Sequence, residues 1–321
     1  MSKHSPLSLI ERAAQVYDFG AALRAPELLP VAEPRPKPAP TEPVRIEAPA
    51  PAPAPLAVEE IVELAAFAPQ PFDFAPADIA RIDREALAAK GFVVPGGVPT
   101  GLAEEFRLIK RQLLSGIARR VSLPEDKRRT VLICSGQPDE GKSFCAVNLA
   151  LSLSGEREVE VLLIDGDFSK PDVLATLGIE NGPGLVEALS DPAANPEDFV
   201  VRTDVPGLSV LPAGRKANNV PELLASDRTR EVLAKLVAGN RERIILFDSP
   251  PALMASPATV LSAHVGQVLV VVRADRTTEA DLRETIGLLS GCDHVGLILN
   301  GAGIAVSGRK FGAYDGYGHD Q

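Results

Sequence analysis

An apolar run, Val131-Leu132-Ile133-Cys134, leads directly into Ser135-Gly136-Gln137-Pro138-Asp139-Glu140-Gly141-Lys142-Ser143, and a helical pattern follows over Cys145–Leu153. No other stretch constrains the fold as tightly. Gly136 and Gly141 let the backbone turn sharply, so that successive N–H groups converge on one point. The spacing fits G-x-x-x-x-G-K-[ST], a loop that cradles nucleotide phosphates. Lys142 would neutralise the β- and γ-phosphates, and the Ser143 hydroxyl would reach Mg²⁺. A helix that starts here adds the positive end of its dipole.

The strand–helix alternation continues. Apolar runs at Val159–Ile164, Leu208–Leu211, Ile244–Phe247, Val268–Val272 and Val295–Leu299 show no polar alternation. Such strands are buried on both faces. Helical stretches at Val220–Ala238 and Glu279–Leu289 separate some of them, and the stripe Leu102, Phe106, Ile109, Leu113, Ile117 precedes the first. The pattern predicts a doubly wound, mainly parallel α/β domain over residues 101–305.

Two of these strands end in acid. One closes in Asp165-Gly166-Asp167, the other in Asp248 followed by Ser249-Pro250-Pro251. Open α/β sheets bind ligands at the carboxyl edge, where paired carboxylates suit Mg²⁺ or proton abstraction. Ser143, Asp165, Asp167 and Asp248 are therefore the candidate metal residues.

Composition divides the chain. Of 29 prolines, 17 fall in the first 100 residues, with unbroken Ala-Pro alternation over 48–55. Such text favours extended polyproline II and reads as a linker over 25–100, with short helical patterns near Val58–Phe67 and Ala77–Lys90. Residues 1–24 carry an amphipathic helix that either docks on a partner or membrane or folds back on the main domain. The polar tail 306–321 holds Tyr314 and Tyr317. Three cysteines are too few for a disulfide framework or a four-ligand zinc site. A net charge of −10 argues against nucleic acid as a partner. Neither a membrane-length apolar run nor a secretory leader is apparent, so the expectation is a cytoplasmic protein. The basic cluster Arg119, Arg120, Lys127, Arg128, Arg129 reads as solvated surface or as a contact for acidic lipid or protein.

The three motifs in this order resemble the bacterial tyrosine kinases of exopolysaccharide systems. Gly136–Ser143 matches their Walker A, Asp165–Asp167 their A′ motif and Ile244–Asp248 their Walker B. Ser8–Ala14, Gly141–Phe144 and Phe247–Pro251 are similar to the exosortase-associated branch. The resemblance implies a P-loop NTPase fold of the deviant-Walker, ParA/MinD-like superfamily and an ATP- and Mg²⁺-dependent tyrosine autokinase that regulates exopolysaccharide chain length or export. On this basis Gly136, Gln137, Pro138, Asp139, Glu140, Gly141, Lys142, Ser143 and Phe144 bind the nucleotide. Asn300 either touches its base or caps a turn. Lys142, Asp165, Asp167 and Asp248 are catalytic, with Asp165 or Asp167 as the base, and Tyr314 and Tyr317 of a neighbouring subunit accept the phosphate.

Further implications concern partners. Glu104, Arg107 and Lys110 stand where the family's E-x-x-R-x-x-R helix supports ring-like self-association, with Lys110 in the usual Arg place. A membrane chain-length determinant would recruit the chain to the inner membrane face and activate it, and a cognate tyrosine phosphatase would reverse the modification. Two departures stand out: Ser169 replaces the Arg of the A′ motif, with Lys170 next, and the tail has only two tyrosines. The competing class is the ParA/MinD partition and positioning ATPases, whose signature lysine position is here Gln137. A nucleotide-dependent scaffold of polysaccharide export with little kinase activity is the third alternative.

Overall fold

The computed structural model describes residues 79–98, 100–240 and 242–302. The expected N-terminal helix, most of the linker, and both tail tyrosines lie outside the described residues. The strands are β1 (Thr130–Ser135), β2 (Glu160–Asp165), β3 (Val201–Arg202), β4 (Leu208–Leu211), β5 (Arg243–Asp248), β6 (Gln267–Arg273) and β7 (Val295–Asn300). They form one sheet in the order β3-β4-β2-β5-β1-β6-β7, parallel except for the β3–β4 pair. This is the doubly wound arrangement expected from the unbroken apolar runs. Alternate residues feed two cores. Val131, Ile133, Val161 and Leu163 bury on one face, and Leu132, Cys134, Leu162, Ile164 and Phe247 on the other.

The helices among the described residues are α1 (Arg84–Ala89), α2 (Gly101–Arg119), α3 (Glu125–Arg128), α4 (Lys142–Leu153), α5 (Val173–Leu177), α6 (Leu185–Ser190), α7 (Val220–Ala225), α8 (Asp227–Ala238), α9 (Pro257–Ser262) and α10 (Glu279–Leu288). None is long and apolar enough to cross a membrane. Helix α4 is buried almost all round, as its run of Cys, Ala, Val and Leu dictates. The single helix expected over Val220–Ala238 is two. Ser226 adopts an extended backbone, φ −75° and ψ 158°, and its hydroxyl donates to the Leu223 carbonyl. A serine that satisfies the preceding turn in this way ends one helix and opens the next.

The linker boundary expected at residue 100 also moves. Residues 79–98 pack on the domain rather than trailing from it. Ile82 and Leu87 are buried in the same core as α4, and Ala80 bridges Thr203 at the sheet edge. Asp204 accepts the Ile82 N–H at 2.9 Å and pairs with Arg84 at 2.7 Å. Val93 donates its N–H to the buried Asn148 side chain at 2.7 Å, and Phe92 lies 4.8 Å from Phe144 between ring centroids. The proline-rich run ahead of this segment and the Pro95-Gly96-Gly97 break that ends it masked its apolar content.

Truncating Leu87 to Ala should cost about 3 kcal/mol, the usual range for a fully buried leucine. In a domain of this size that lowers Tm by about 10 °C. A Tm within about 2 °C of the parent would mean that the segment does not belong to the core.

Candidate nucleotide site

Strands β1, β5 and β2 lie side by side, so their carboxyl ends form one edge. Asp248 stands in register with Ile133 on one side and Asp165 on the other. The loop 136–141 leaves β1 at this edge and enters α4. Asp139 (φ 60°) and Gly141 (φ 95°) both take left-handed backbone, the alternation that folds N–H groups into a concave nest. A side chain at Gly141 would also meet the Asn300 amide, 2.1 Å from its Cβ. Beyond β5, Ala252 donates to the Ser135 carbonyl at 2.8 Å and Leu253 to that of Gly136 at 3.2 Å, bracing the loop from behind.

The structure brings Lys142, Ser143, Asp165, Asp167 and Asp248 together and gives the three carboxylates different surroundings. The Lys142 Nζ pairs with Asp167 at 2.8 Å and donates to the Ser143 hydroxyl at 3.3 Å. Burial alone would lower the lysine pKa, but Asp248, Asp167 and Asp165 outweigh it and raise it, so the ammonium keeps its charge. Asp165 is tied to backbone: it accepts the N–H groups of Asp167 (3.2 Å), Asp172 (3.0 Å) and Val173 (3.1 Å). Burial raises it to about 6 in spite of those bonds. Asp248 is fully buried, and no hydrogen bond of good geometry satisfies either carboxylate oxygen. Burial pushes it up to about 7 against the pull of Lys142 and Ser143.

An orphaned carboxylate is costly unless something binds it. Among the described residues, no three carboxylate, His or Cys side chains gather into a ready-made cation cage. Mg²⁺ seldom uses one; it takes one or two carboxylates plus waters and substrate phosphates. Asp248 with the neighbouring Ser143 hydroxyl fits that mode, and Asp165, held by three N–H donors, fits it poorly.

Other expected residues turn out to support the loop. The Phe144 ring packs on Phe92 and Phe106. Glu140 is fully buried, Asn300 donates to its carbonyl at 2.9 Å, and Pro138 and Asp139 are exposed. Lys170 is exposed and meets Asp167 only through its backbone N–H, at 3.1 Å. Lys110 is turned inward, bonded to the Ser152 carbonyl at 2.9 Å and paired with Glu156 at 2.7 Å. That leaves Glu104 and Arg107, paired with each other, on the outer side of α2. Burial raises Cys134 and Cys145 to about 12, so neither is a thiolate.

Sequence reasoning missed Gly166, whose N–H donates to the Asp248 carbonyl at 2.7 Å. A Cβ there would sit 2.8 Å from that oxygen, so only glycine lets the end of β2 lie against β5. It also missed Thr277, whose hydroxyl meets the Glu140 carboxylate. The Thr277-Thr278 pair ahead of a helix was its only signal.

No family model matches the chain. EpsB of Ralstonia nicotianae is 32% identical over 200 residues, which are 62% of this chain and 24% of EpsB. The tyrosine-protein kinase YwqD of Bacillus subtilis is 28% identical over 220 residues, 68% of this chain and 85% of YwqD. Among solved structures, the BceF tyrosine kinase domain is 34% identical, matches 62% of this chain and 77% of its own, and superposes with a TM-score of 0.52. The chain belongs to the bacterial tyrosine kinase family. It spans about a quarter of EpsB and most of YwqD, so family members share this domain at very different overall lengths.

The raised carboxylates give the nucleotide-free protein a defined pH dependence. With Asp248 near 7 and Asp165 near 6, these two carboxyls hold more protons in the native state than in the unfolded chain between about pH 4 and 7, opposed there by His264, whose pKa burial lowers. Stability should therefore fall as pH rises through that window, and Asp248→Asn should flatten the slope. Thermal unfolding at pH 5 and pH 7.5 checks this; a nucleotide-free protein that is steadily more stable towards pH 7.5 would refute it.

Proposed function

We propose that the chain is an ATP- and Mg²⁺-dependent protein-tyrosine autokinase. The observation that carries this reading is the Lys142–Asp167 pair set beside the orphaned Asp248 on the edge where the phosphate loop opens. Membership of a tyrosine kinase family supports it. The metal and nucleotide, when bound, supply the phosphoryl group and neutralise charge on the β- and γ-oxygens. The protein's part is positioning and proton transfer. Lys142 would exchange Asp167 for phosphate oxygens, Ser143 and Asp248 would hold the metal, and Asp165 fixes the turn at 172–173.

A tyrosine hydroxyl, with a pKa near 10, must lose its proton as it attacks. Asp167 is the acceptor in this reading. Its Oδ2 is freed when Lys142 moves, while Oδ1 keeps the Lys170 N–H; both oxygens of Asp165 are held by backbone. The phosphate-accepting groups are Tyr314 and Tyr317 of a neighbouring subunit. Self-association runs through Glu104 and Arg107 on the outer side of α2. A membrane chain-length determinant, reached through the proline-rich extension, activates the kinase at the inner membrane face. A tyrosine phosphatase resets it, and the cycle controls exopolysaccharide length or export.

With γ-labelled ATP and Mg²⁺, the purified chain should label itself on tyrosine. Lys142→Met should cut labelling by at least about 100-fold, as loss of a transition-state cation does. Changing both Tyr314 and Tyr317 to Phe should remove the label without slowing nucleotide binding. ATP turnover with no phosphotyrosine would favour an ATPase or scaffold, and full labelling of the double Phe variant would rule out the tail as acceptor.

A further inference from the structure

Glu140 is a surprising residue in a loop that receives phosphates. It is fully buried, and its carboxylate repels the charge that the loop attracts. Its donors account for it. One carboxylate oxygen accepts the Gln137 N–H at 2.9 Å from within the loop, and the other accepts the Thr277 hydroxyl. The Thr277 oxygen in turn accepts the Arg273 N–H at 2.8 Å, at the end of β6. On the backbone side, the Asn300 amide at the end of β7 donates to the Glu140 carbonyl at 2.9 Å. The Asn300 carbonyl accepts the Ala274 N–H at 2.9 Å, which closes the circuit between the two strand ends. The Gln137 side chain reaches Asp281, in the first turn of α10, at 3.4 Å.

The loop is therefore fastened along its outer flank to two strands and a helix that it does not belong to. Phosphate binding by backbone N–H groups depends on their converging before the ligand arrives, because a loop that orders on binding loses affinity to that ordering. We propose that Thr277, acting through Glu140, is a positioning residue that holds the 137–141 backbone in its phosphate-accepting shape. The inference rests on the reading that this loop binds ATP. Without the hydroxyl, one buried oxygen of Glu140 has no donor, and the carboxylate is free to swing towards the phosphates or release the Gln137 N–H. Neither change touches Lys142, Ser143 or the carboxylates at the strand ends, so the fault falls on nucleotide binding rather than on transfer.

Calorimetric titration of Mg²⁺·ADP into the full chain tests this with four proteins: the parent, Thr277→Val, Thr277→Ser and the core variant Leu87→Ala. Thr277→Val should bind about tenfold more weakly, while Thr277→Ser, which keeps the hydroxyl, stays within about twofold of the parent. Leu87→Ala, destabilised elsewhere, should keep the parent affinity, so that general loss of stability is told apart from loss of positioning. In autophosphorylation, Thr277→Val should raise the KM for ATP and leave kcat at saturating ATP within about twofold.

Thr277→Val binding like the parent, or Thr277→Ser failing as badly as Thr277→Val, would overturn the inference. Should Thr277→Val not fold, Glu140→Gln replaces it. An amide cannot accept from both donors, so it should bind about fivefold more weakly, and parent-like binding would again overturn the proposal. A parent chain that binds no ADP would overturn the nucleotide reading and this inference with it. Equal binding by parent and variants overturns this inference alone.

Discussion

One cation faces three carboxylates at the edge of the sheet, and the 2.8 Å pair between Lys142 and Asp167 is how the resting protein manages that imbalance. The three strand ends that carry these groups are forced together by the sheet order, with Asp165 and Asp248 in register. Burial at that edge makes each unpaired negative charge expensive. Lys142 stays charged because the carboxylates surround it, and burial lifts Asp165 and Asp248 towards neutrality, for Asp248 against the pull of that lysine. The site asks for more positive charge. A divalent cation bound with phosphates would answer that need and would leave Lys142 free to exchange Asp167 for a phosphate oxygen.

The carboxylates look equivalent as text and differ sharply as chemistry. Three backbone N–H groups occupy Asp165, which makes it a brace for the turn that follows β2. Asp248 has no partner of good geometry, and Asp167 has a partner that a ligand would remove. The proposed roles of brace, metal ligand and base rest on those three surroundings. The phosphate loop shows the same division. Lys142 and Ser143 face the site, while Glu140, Phe144 and Asn300 hold the loop and its helix to β6, β7, α2 and the segment ahead of α2.

The parts legible in the sequence were those set by local pattern. Runs of Val, Ile and Leu located six of the seven strands to within about a residue, missing the two-residue edge strand β3, and the glycine spacing located the loop. What escaped depended on contacts between distant residues. Glu140 and Thr277 lie 137 positions apart, and no pattern within the loop could mark that glutamate as a tether. Lys110 read as a surface residue of an oligomerising helix until Ser152 and Glu156 were found to hold it. Residues 79–98 read as linker because they follow the proline-rich run and end in Pro95-Gly96-Gly97, although Leu87 and Ile82 fill the core. Ser226 ended a helix that apolar periodicity alone would have continued.

The central claim is that Asp167, released by Lys142, takes the tyrosine proton while Asp165 does not. Single-turnover transfer from saturating Mg²⁺·ATP, compared between Asp167→Asn and Asp165→Asn with nucleotide affinity measured in parallel, tests it most directly. The account predicts that Asp167→Asn binds nucleotide at least as tightly as the parent, since Lys142 has lost its resting partner, yet transfers at least about 100-fold more slowly. Transfer by Asp167→Asn at near the parent rate, with Asp165→Asn inactive though folded and able to bind nucleotide, would contradict it.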